Sequence, residues 1–188
     1  MNTTLTRLFQ KRIAEGAVGP SSLRNQGSAR VVGRAREYLK QIDLAKFAVR
    51  DEARFRALLN TETRALQRSL PVGSRHWGTA RKALNLFLRD VLYHSYLRPL
   101  YRFDRIEKWL EVPLDSYVAK AIRADGARAG HSPCIPKWRG IKHVTPDESF
   151  IFQEVTRGVA RRMRIAPVHL DVYWWRRLGL PRGASKAA

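Results

Sequence analysis

Two short segments carry side chains whose types and spacing could do chemistry together. Residues 80–88 read A-R-K-A-L-N-L-F-L and place Lys82 and Asn85 beside an apolar helix face. Residues 112–120 read V-P-L-D-S-Y-V-A-K and place Asp115 in the first turn of a predicted helix, where the helix dipole keeps a carboxylate ionised. Taken alone, Asp115 is more typical of a helix cap, and Lys82 of a solvated lysine. Taken together, the amine and the carboxylate could serve as nucleophile and electrostatic stabiliser.

The composition points to a polyanionic partner. The 188 residues include 36 Lys and Arg against 16 Asp and Glu, a formal net charge of +20. A field of this strength attracts polyanions, so nucleic acid is the first candidate partner and an anionic membrane surface the second. No apolar run is long enough to cross a bilayer, and the N-terminus lacks the apolar segment of a signal peptide. We therefore predict no membrane association and a cytoplasmic location.

Cysteine usage limits the chemistry further. Cys134 is the only cysteine of the chain, which excludes an internal disulfide and a four-cysteine iron–sulfur cluster. His131 lies nearby, but no second Cys-x-x-Cys pair exists to complete a zinc site. We expect no metal and no cofactor. Nothing in the sequence indicates an obligate protein partner, and we expect a monomer.

The elements that must position the two segments are helices. Apolar residues recur at helical spacing along most of the chain and no strand pattern appears, so we predict an all-α fold and one domain over 1–188. A basic tail from 176 is expected to be mobile. Predicted helices cover 5–15, 28–39, 51–69, 104–110 and 114–125, with one through Lys82 to Leu97 and another beginning at the capping box of Thr145 and Glu148.

Core side chains are predicted in most of the helices and in a segment near the end of the chain. Apolar periodicity assigns them in the helices, and a dense run of apolar residues does so near the end, with Asp171 left open as either a buried polar group or a cleft residue. They include Leu5, Leu8, Phe9 and Ile13 in the first helix, Phe150, Ile151, Val155 and Val159 after Thr145, and Val168, Leu170, Val172, Tyr173, Trp174 and Trp175 near the end.

The segment before the Lys82 helix suits a tight turn. Residues 70–78 read L-P-V-G-S-R-H-W-G, and such a turn can hold a phosphate through backbone N–H groups, aided by the following helix N-terminus. An ordinary interhelix loop is the alternative. Trp77 could anchor the core or stack on a base. The candidate DNA-contacting residues are Gly73, Arg75, His76, Trp77, Gly78 and Arg81.

Together these segments resemble the helix-hairpin-helix DNA glycosylases of the endonuclease III and 8-oxoguanine glycosylase superfamily, most closely the archaeal 8-oxoguanine branch. The helix after the hairpin is matched by Arg81, Lys82, Asn85 and Leu88, and the V-D-x-H-V-like segment by Leu114, Asp115, Ser116 and Val118. Tyr117 stands where the family often has His. The usual L-P-G-V-G hairpin appears as L-P-V-G-S, and the separation between lysine and aspartate is longer than in endonuclease III.

The resemblance implies a compact helical glycosylase-like domain with a degenerate hairpin that acts on double-stranded DNA. Such an enzyme flips a damaged or modified base into a pocket and cleaves its N-glycosidic bond. Asp115 would stabilise the developing sugar cation, and Lys82 would supply a nucleophilic amine for lyase activity. The substrate would be an oxidised purine, for repair, or a hypermodified phage base, for antiviral defence. Two alternatives remain open: a non-catalytic basic nucleic-acid-binding protein and an RNA-associated helical protein.

Overall fold

The computed structural model describes residues 2–23, 25–26, 28, 30–127 and 135–179, with side chains described as far as 175. The regular secondary structure of this part of the chain consists of helices and contains no strand, which confirms the all-α prediction. Within it, five short 3-10 turns connect the α-helices. The α-helices are α1 (Thr3–Ala17), α2 (Val31–Gln41), α3 (Glu52–Ser69), α4 (Trp77–Tyr93), α5 (Leu97–Leu100), α6 (Phe103–Ile106), α7 (Ser116–Ala127), α8 (Pro146–Met163) and α9 (Leu170–Gly179).

The apolar side chains form two cores. The first core is built by α1 to α6 around α4, and includes Phe47, Phe55, Leu59, Leu66, Leu84, Phe87, Leu88 and Phe103. The second is built by α7 to α9 and the extended segment before α7, and includes Val112, Leu114, Val118, Ile122, Phe152, Val155, Val159 and Trp174. Burial of these apolar surfaces drives the assembly of both cores. Trp77, at the start of α4, packs against the second core, so α4 meets both.

Side-chain caps fix several helix ends as the sequence predicts. Asp51 caps α3 by accepting the Arg54 N–H at 2.8 Å, and Thr145 with Glu148 forms the complete predicted capping box of α8. By contrast, α4 ends at Tyr93 rather than at Leu97. The reason is local, since the next residue, His94, uses its Nδ1 to accept the N–H groups of residues 96 and 97 at 3.2 and 3.3 Å.

The predicted core face of α1 is wrong in part. Leu8 is 57% exposed and Leu5 is also exposed, whereas Gln10 is buried. The Gln10 amide donates hydrogen bonds to the carbonyl oxygens of Leu39 and Ile42 at 3.1 and 2.8 Å, which ties α1 to the end of α2. A buried amide with its donors satisfied can replace apolar contacts at a helix junction, and hydrophobicity alone does not reveal this.

The predicted core faces of α8 and α9 also need correction. Phe150 is 52% exposed and Trp175 is 74% exposed, so neither ring completes the core. Val172 and Tyr173 are exposed as well, whereas Val168, Leu170 and Trp174 are buried as predicted. The Trp174 indole donates to Asp125 at 2.9 Å, which fixes α9 against α7 and decides which face of α9 turns inward.

Several predictions concern residues beyond the described part. The loop containing His131 and Cys134 lies outside the described residues, as does the predicted tail from 180 onward. The backbone of α9 continues to Gly179, past the predicted start of that tail at 176. Within the described residues, none of the helices combines the length and the apolar character required to cross a membrane.

Candidate active site

Helix α4 carries a polar strip along a surface that is otherwise apolar. Arg81, Asn85 and Arg89 recur every four residues, and Lys82 adjoins them, so these side chains share one face of α4. Arg81, Lys82 and Asn85 are only 7%, 8% and 3% exposed. Charged side chains are rarely buried to this degree without partners. The partners come from α3, from the segment leading into α7 and from α9.

The segment before α7 is held rigidly in the second core. Gln153 of α8 clamps Val112: its Oε1 accepts the backbone N–H at 3.1 Å, and its Nε2 donates to the backbone carbonyl at 2.9 Å. Val112 and Leu114 are buried on either side of Pro113. The position of the next residue, Asp115, is therefore set by packing and hydrogen bonds rather than by a free loop.

Asp115 is both a helix cap and a partner of the lysine. Helix α7 begins at Ser116, two residues later than predicted, and the Asp115 Oδ1 accepts the Val118 N–H at 2.9 Å. The other carboxylate oxygen, Oδ2, lies 3.9 Å from the Lys82 Nζ. The cap interpretation and the site interpretation are thus compatible, because each oxygen has its own partner.

The Lys82–Asp115 pair sits where the two cores meet. Lys82 belongs to α4, whose apolar side fills the first core, whereas Asp115 lies between Leu114 and Val118 of the second core. The Lys82 side chain is 9% exposed and that of Asp115 is 32% exposed, so the carboxylate lies nearer to solvent than the amine. The fold therefore brings together the two residues that the sequence singled out.

A second acidic group from α9 joins this site. Asp171 Oδ2 contacts the Arg89 Nη1, and the Arg89 Nε donates to Asp90 at 2.8 Å. Burial raises the pKa of the Asp171 carboxyl, and the Arg89 guanidinium opposes that rise. The charge of Asp115 also raises the Asp171 pKa and that of Lys82 lowers it, which shows that the three groups lie within electrostatic reach of one another.

Sequence reasoning misses Arg89 and leaves the role of Asp171 open. The signal for Arg89 is the four-residue spacing of Arg81, Asn85 and Arg89, which marks a polar strip along α4. The pairing of Arg89 with Asp171 joins residues 82 positions apart. No local pattern predicts such a contact.

The Arg81 side chain is buried and contacts other residues of the protein. Its guanidinium donates to the Thr63 hydroxyl at 2.9 Å, contacts Asn60, and stacks over the Trp77 ring at 4.7 Å. Its Nε lies 3.4 Å from Glu111, an ion pair without hydrogen-bond alignment. Burial lowers the pKa of Arg81 and Glu111 opposes this shift. Arg81 thus joins α3, α4 and the segment before α7, and it does not face outward as a phosphate ligand would.

Some residues of the predicted phosphate-binding turn are exposed to solvent, and others are packed inside the protein. Gly73 lies in the 3-10 turn Val72–Ser74 and is exposed, as is Arg75, whose Nε donates to the Leu70 carbonyl at 3.0 Å. His76 and Trp77 are half-buried. Gly78 is buried, and a Cβ there would lie 2.1 Å from the Ile141 carbonyl oxygen. The turn keeps Gly73, Arg75 and His76 accessible, whereas Gly78 serves a close backbone approach.

Comparisons of the whole chain were made with protein-family models, with curated proteins and with solved structures. None of the three found a match. What this site does must therefore be inferred from its own geometry, and that geometry is a buried amine facing a rigidly held carboxylate at the junction of two cores.

Proposed function

We propose that this protein is a DNA glycosylase that flips a damaged or modified base out of double-stranded DNA and cleaves its N-glycosidic bond. The observation that carries the proposal is the 3.9 Å approach of the Lys82 Nζ to the Asp115 Oδ2 at the junction of the cores. This distance exceeds that of a hydrogen bond, so the amine and the carboxylate form an ion pair without closing a hydrogen bond, and Asp115 keeps the position set by its bond to the Val118 N–H. The resemblance of both segments to helix-hairpin-helix glycosylases supports the same assignment.

Asp115 is the electrostatic stabiliser in this proposal. Cleavage of the N-glycosidic bond builds positive charge on the sugar, and a preorganised carboxylate stabilises such charge most effectively when it need not reorient. The Val118 N–H and the Gln153 clamp on Val112 supply that rigidity. Partial exposure of Asp115 leaves an approach from solvent for an extruded nucleotide.

Lys82 is the proposed nucleophile. An unprotonated amine attacks the sugar C1′, and the base departs with the electron pair of the N-glycosidic bond. The attached nitrogen loses a proton, and its lone pair then expels the ring oxygen O4′, which is protonated as the sugar ring opens and leaves a Schiff base at C1′. Elimination from that intermediate nicks the strand. If Lys82 does not attack, water takes its place and the product is an intact strand with an abasic site.

The experiment that tests the proposal is single-turnover base release by Asp115→Asn. Asn caps a helix about as well as Asp, so α7 should form normally, and only the negative charge is lost. We expect base excision to fall by about a hundredfold or more, the effect of losing one strong electrostatic stabiliser. DNA affinity should stay equal or increase, because the carboxylate no longer repels phosphates.

Thermal unfolding and DNA affinity are measured on the same preparation, so that loss of fold is separated from loss of chemistry. Asp147→Asn is the matched control, since Asp147 is an acid in the first turn of α8 with no role in the site. Wild-type excision by Asp115→Asn would end the assignment for this residue. The protein would then be better described as a non-catalytic nucleic-acid-binding protein, a function for which its positive charge is sufficient.

The proposal has two versions, which differ in the base that the enzyme excises. An oxidised purine would make the protein a repair enzyme, and a hypermodified phage base would make it a defence enzyme. A panel of duplexes that each carry one modified base distinguishes the two. Base release is measured by chromatography with the wild type and with Asp115→Asn side by side.

A further inference from the structure

Helix α8 carries a polar and aromatic stripe that neither core uses. Phe150 is 52% exposed, and Arg157 and Arg161 follow it at intervals of seven and four residues, which places the three side chains along one side of the helix. Arg164, which follows the last residue of α8 in a left-handed backbone conformation, extends this stripe as a lining residue of the adjoining groove. With a rise of ~1.5 Å per residue, this stripe is about 20 Å long. It consists of the same residue types that bind nucleic acids elsewhere, namely arginine and an exposed aromatic ring.

Two guanidinium groups lie near the exposed ring of Phe150. The Arg56 Cζ lies 5.9 Å from the ring centroid and the Arg157 Cζ lies 6.0 Å from it. Arg56 is tied to Glu52 at 2.5 Å and lies 3.8 Å from Glu154, which also pairs with Arg157. The ring is therefore oriented by an ion-pair network from α3 and α8, while half of it faces solvent.

A groove of about 470 Å³ continues the stripe beyond Arg157. Its charged lining residues are Lys108, Arg157, Arg161, Arg164, Asp104 and Glu107. Of the two carboxylates, Glu107 is already engaged by Arg98 at 2.8 Å and by His169 at 2.6 Å. The groove therefore keeps an excess of positive charge. Because Arg157 borders both the Phe150 ring and the groove, ring and groove form one continuous surface.

Two cations of this groove lack a compensating carboxylate. In the described part of the chain, neither Arg161 nor Arg164 makes an ion pair. Burial lowers the pKa of Arg157, and the positive charges of Arg56 and Arg161 lower it further. Crowded cations repel one another, and an anion bound among them relieves that repulsion. The phosphodiester groups of a nucleic-acid strand recur along its length, as the arginines of this surface do, so the negative charges of the strand can pair with the positive charges of the protein.

We propose that this surface, consisting of Phe150 and the groove lined by Arg157, Arg161 and Arg164, binds single-stranded nucleic acid. An unpaired base packs on the exposed face of Phe150, and the adjoining phosphates lie in the groove. Neither Lys82 nor Asp115 belongs to this surface, so its proposed function goes beyond base excision and does not depend on it.

A single strand fits better than a duplex for a geometric reason. In a duplex each base is stacked on its neighbours, so its flat face is closed to a side chain that approaches from outside. In a single strand the face is free, and stacking on an aromatic ring is tolerant of sequence. At ~3.4 Å per stacked nucleotide, a surface about 20 Å long accommodates about six nucleotides.

The test measures binding of fluorescently labelled oligothymidylate and oligouridylate of about twelve nucleotides, roughly twice the predicted site, by anisotropy over a range of salt. Phe150→Ala should weaken binding of both about tenfold, since it removes the ring on which one base stacks. Arg161→Ala with Arg164→Ala should reduce the slope of log affinity against log salt by about 1.4, because each phosphate that a cation neutralises on a single strand contributes ~0.7. Affinity for an intact duplex should change much less.

Matched controls come from α1. Leu8→Ala removes an apolar side chain of similar exposure, 57% against 52% for Phe150. Arg7→Ala with Lys11→Ala removes two exposed cations at helical spacing, the same charge change as the α8 double variant. Both controls should bind the oligonucleotides as the wild type does. Thermal unfolding of every variant confirms that α8 remains folded.

Three outcomes would overturn the inference. Phe150→Ala could bind single strands like the wild type, the α1 controls could lose as much affinity as the α8 variants, or duplex binding could fall as much as single-strand binding. The last result would make α8 a duplex-binding surface instead. Failure of this inference would appear as unchanged oligonucleotide binding by Phe150→Ala, and failure of the glycosylase proposal as unchanged base release by Asp115→Asn, so the two failures give different patterns.

Discussion

At the scale of single residues, the site depends on the two oxygens of the Asp115 carboxylate having different partners. One oxygen of Asp115 caps α7 through the Val118 N–H, and the other faces the Lys82 amine at 3.9 Å. This arrangement keeps a negative charge fixed at the junction of the cores, beside an amine that is largely shielded from water.

Lys82 can be tested as the nucleophile by trapping. Borohydride added during turnover should reduce the Schiff base and leave a covalent protein–DNA adduct, and Lys82→Ala should abolish it. Lys82→Gln is a second variant that retains a polar group beside Asp115 in case the smaller residue disturbs folding. The adduct is measured by its slower migration on a denaturing gel.

Lys120 provides the matched control for that experiment. It lies on α7 five residues after Asp115 and is exposed, so Lys120→Ala should leave the adduct unchanged. Base release by the wild type without any adduct would show that the enzyme is monofunctional. Lys82 would then position Asp115 or contact DNA, and its removal would lower excision without altering the product.

At the scale of elements, the start of α4 depends on a close approach between backbones. Gly78→Ala should destabilise the fold, because the new Cβ would lie 2.1 Å from the Ile141 carbonyl oxygen and near Val144. Overpacking of this kind costs about 1–3 kcal/mol. The expected result is a fall in melting temperature of several degrees, since about 1 kcal/mol shifts a domain of this size by ~2–4 °C.

Gly73→Ala is the control for this prediction, because a Cβ at Gly73 meets no atom within 4 Å and its backbone N–H is retained. Its stability should be unchanged or slightly increased, since alanine restricts the unfolded chain. Equal melting temperatures for the two variants would show that the α4 start is looser than the packing of Gly78 indicates. Scanning calorimetry measures both.

At the scale of the whole molecule, the net charge of +20 should dominate affinity. Each phosphate neutralised by Lys or Arg releases counterions, so log affinity for duplex DNA should fall linearly with log salt. If about six or more phosphates are neutralised, the affinity should drop about a thousandfold or more between ~50 and ~200 mM salt. A titration by anisotropy measures the slope, and a flat response would exclude nucleic acid as the main partner.

The sequence alone predicted the features that depend on neighbours along the chain. The helix caps at Asp51 and Thr145 and the helical class follow from local hydrogen bonding and periodicity, so they were predictable. Lys82 and Asp115 were selected by residue type and by resemblance, and the structure then placed them 3.9 Å apart. Their chemistry stays a prediction until excision is measured.

Only the tertiary structure decided which faces are buried and which distant charges meet. Periodicity assigned Phe150 and Trp175 to the core, yet both are exposed, because the docking of α8 and α9 selects one of several apolar faces. Arg89 meets Asp171, and Arg81 is enclosed by Thr63 and Glu111, through contacts between residues far apart in the chain. The hydrophobic pattern of a helix shows that one of its faces is buried. Which face is buried depends on the energy of packing against the other helices.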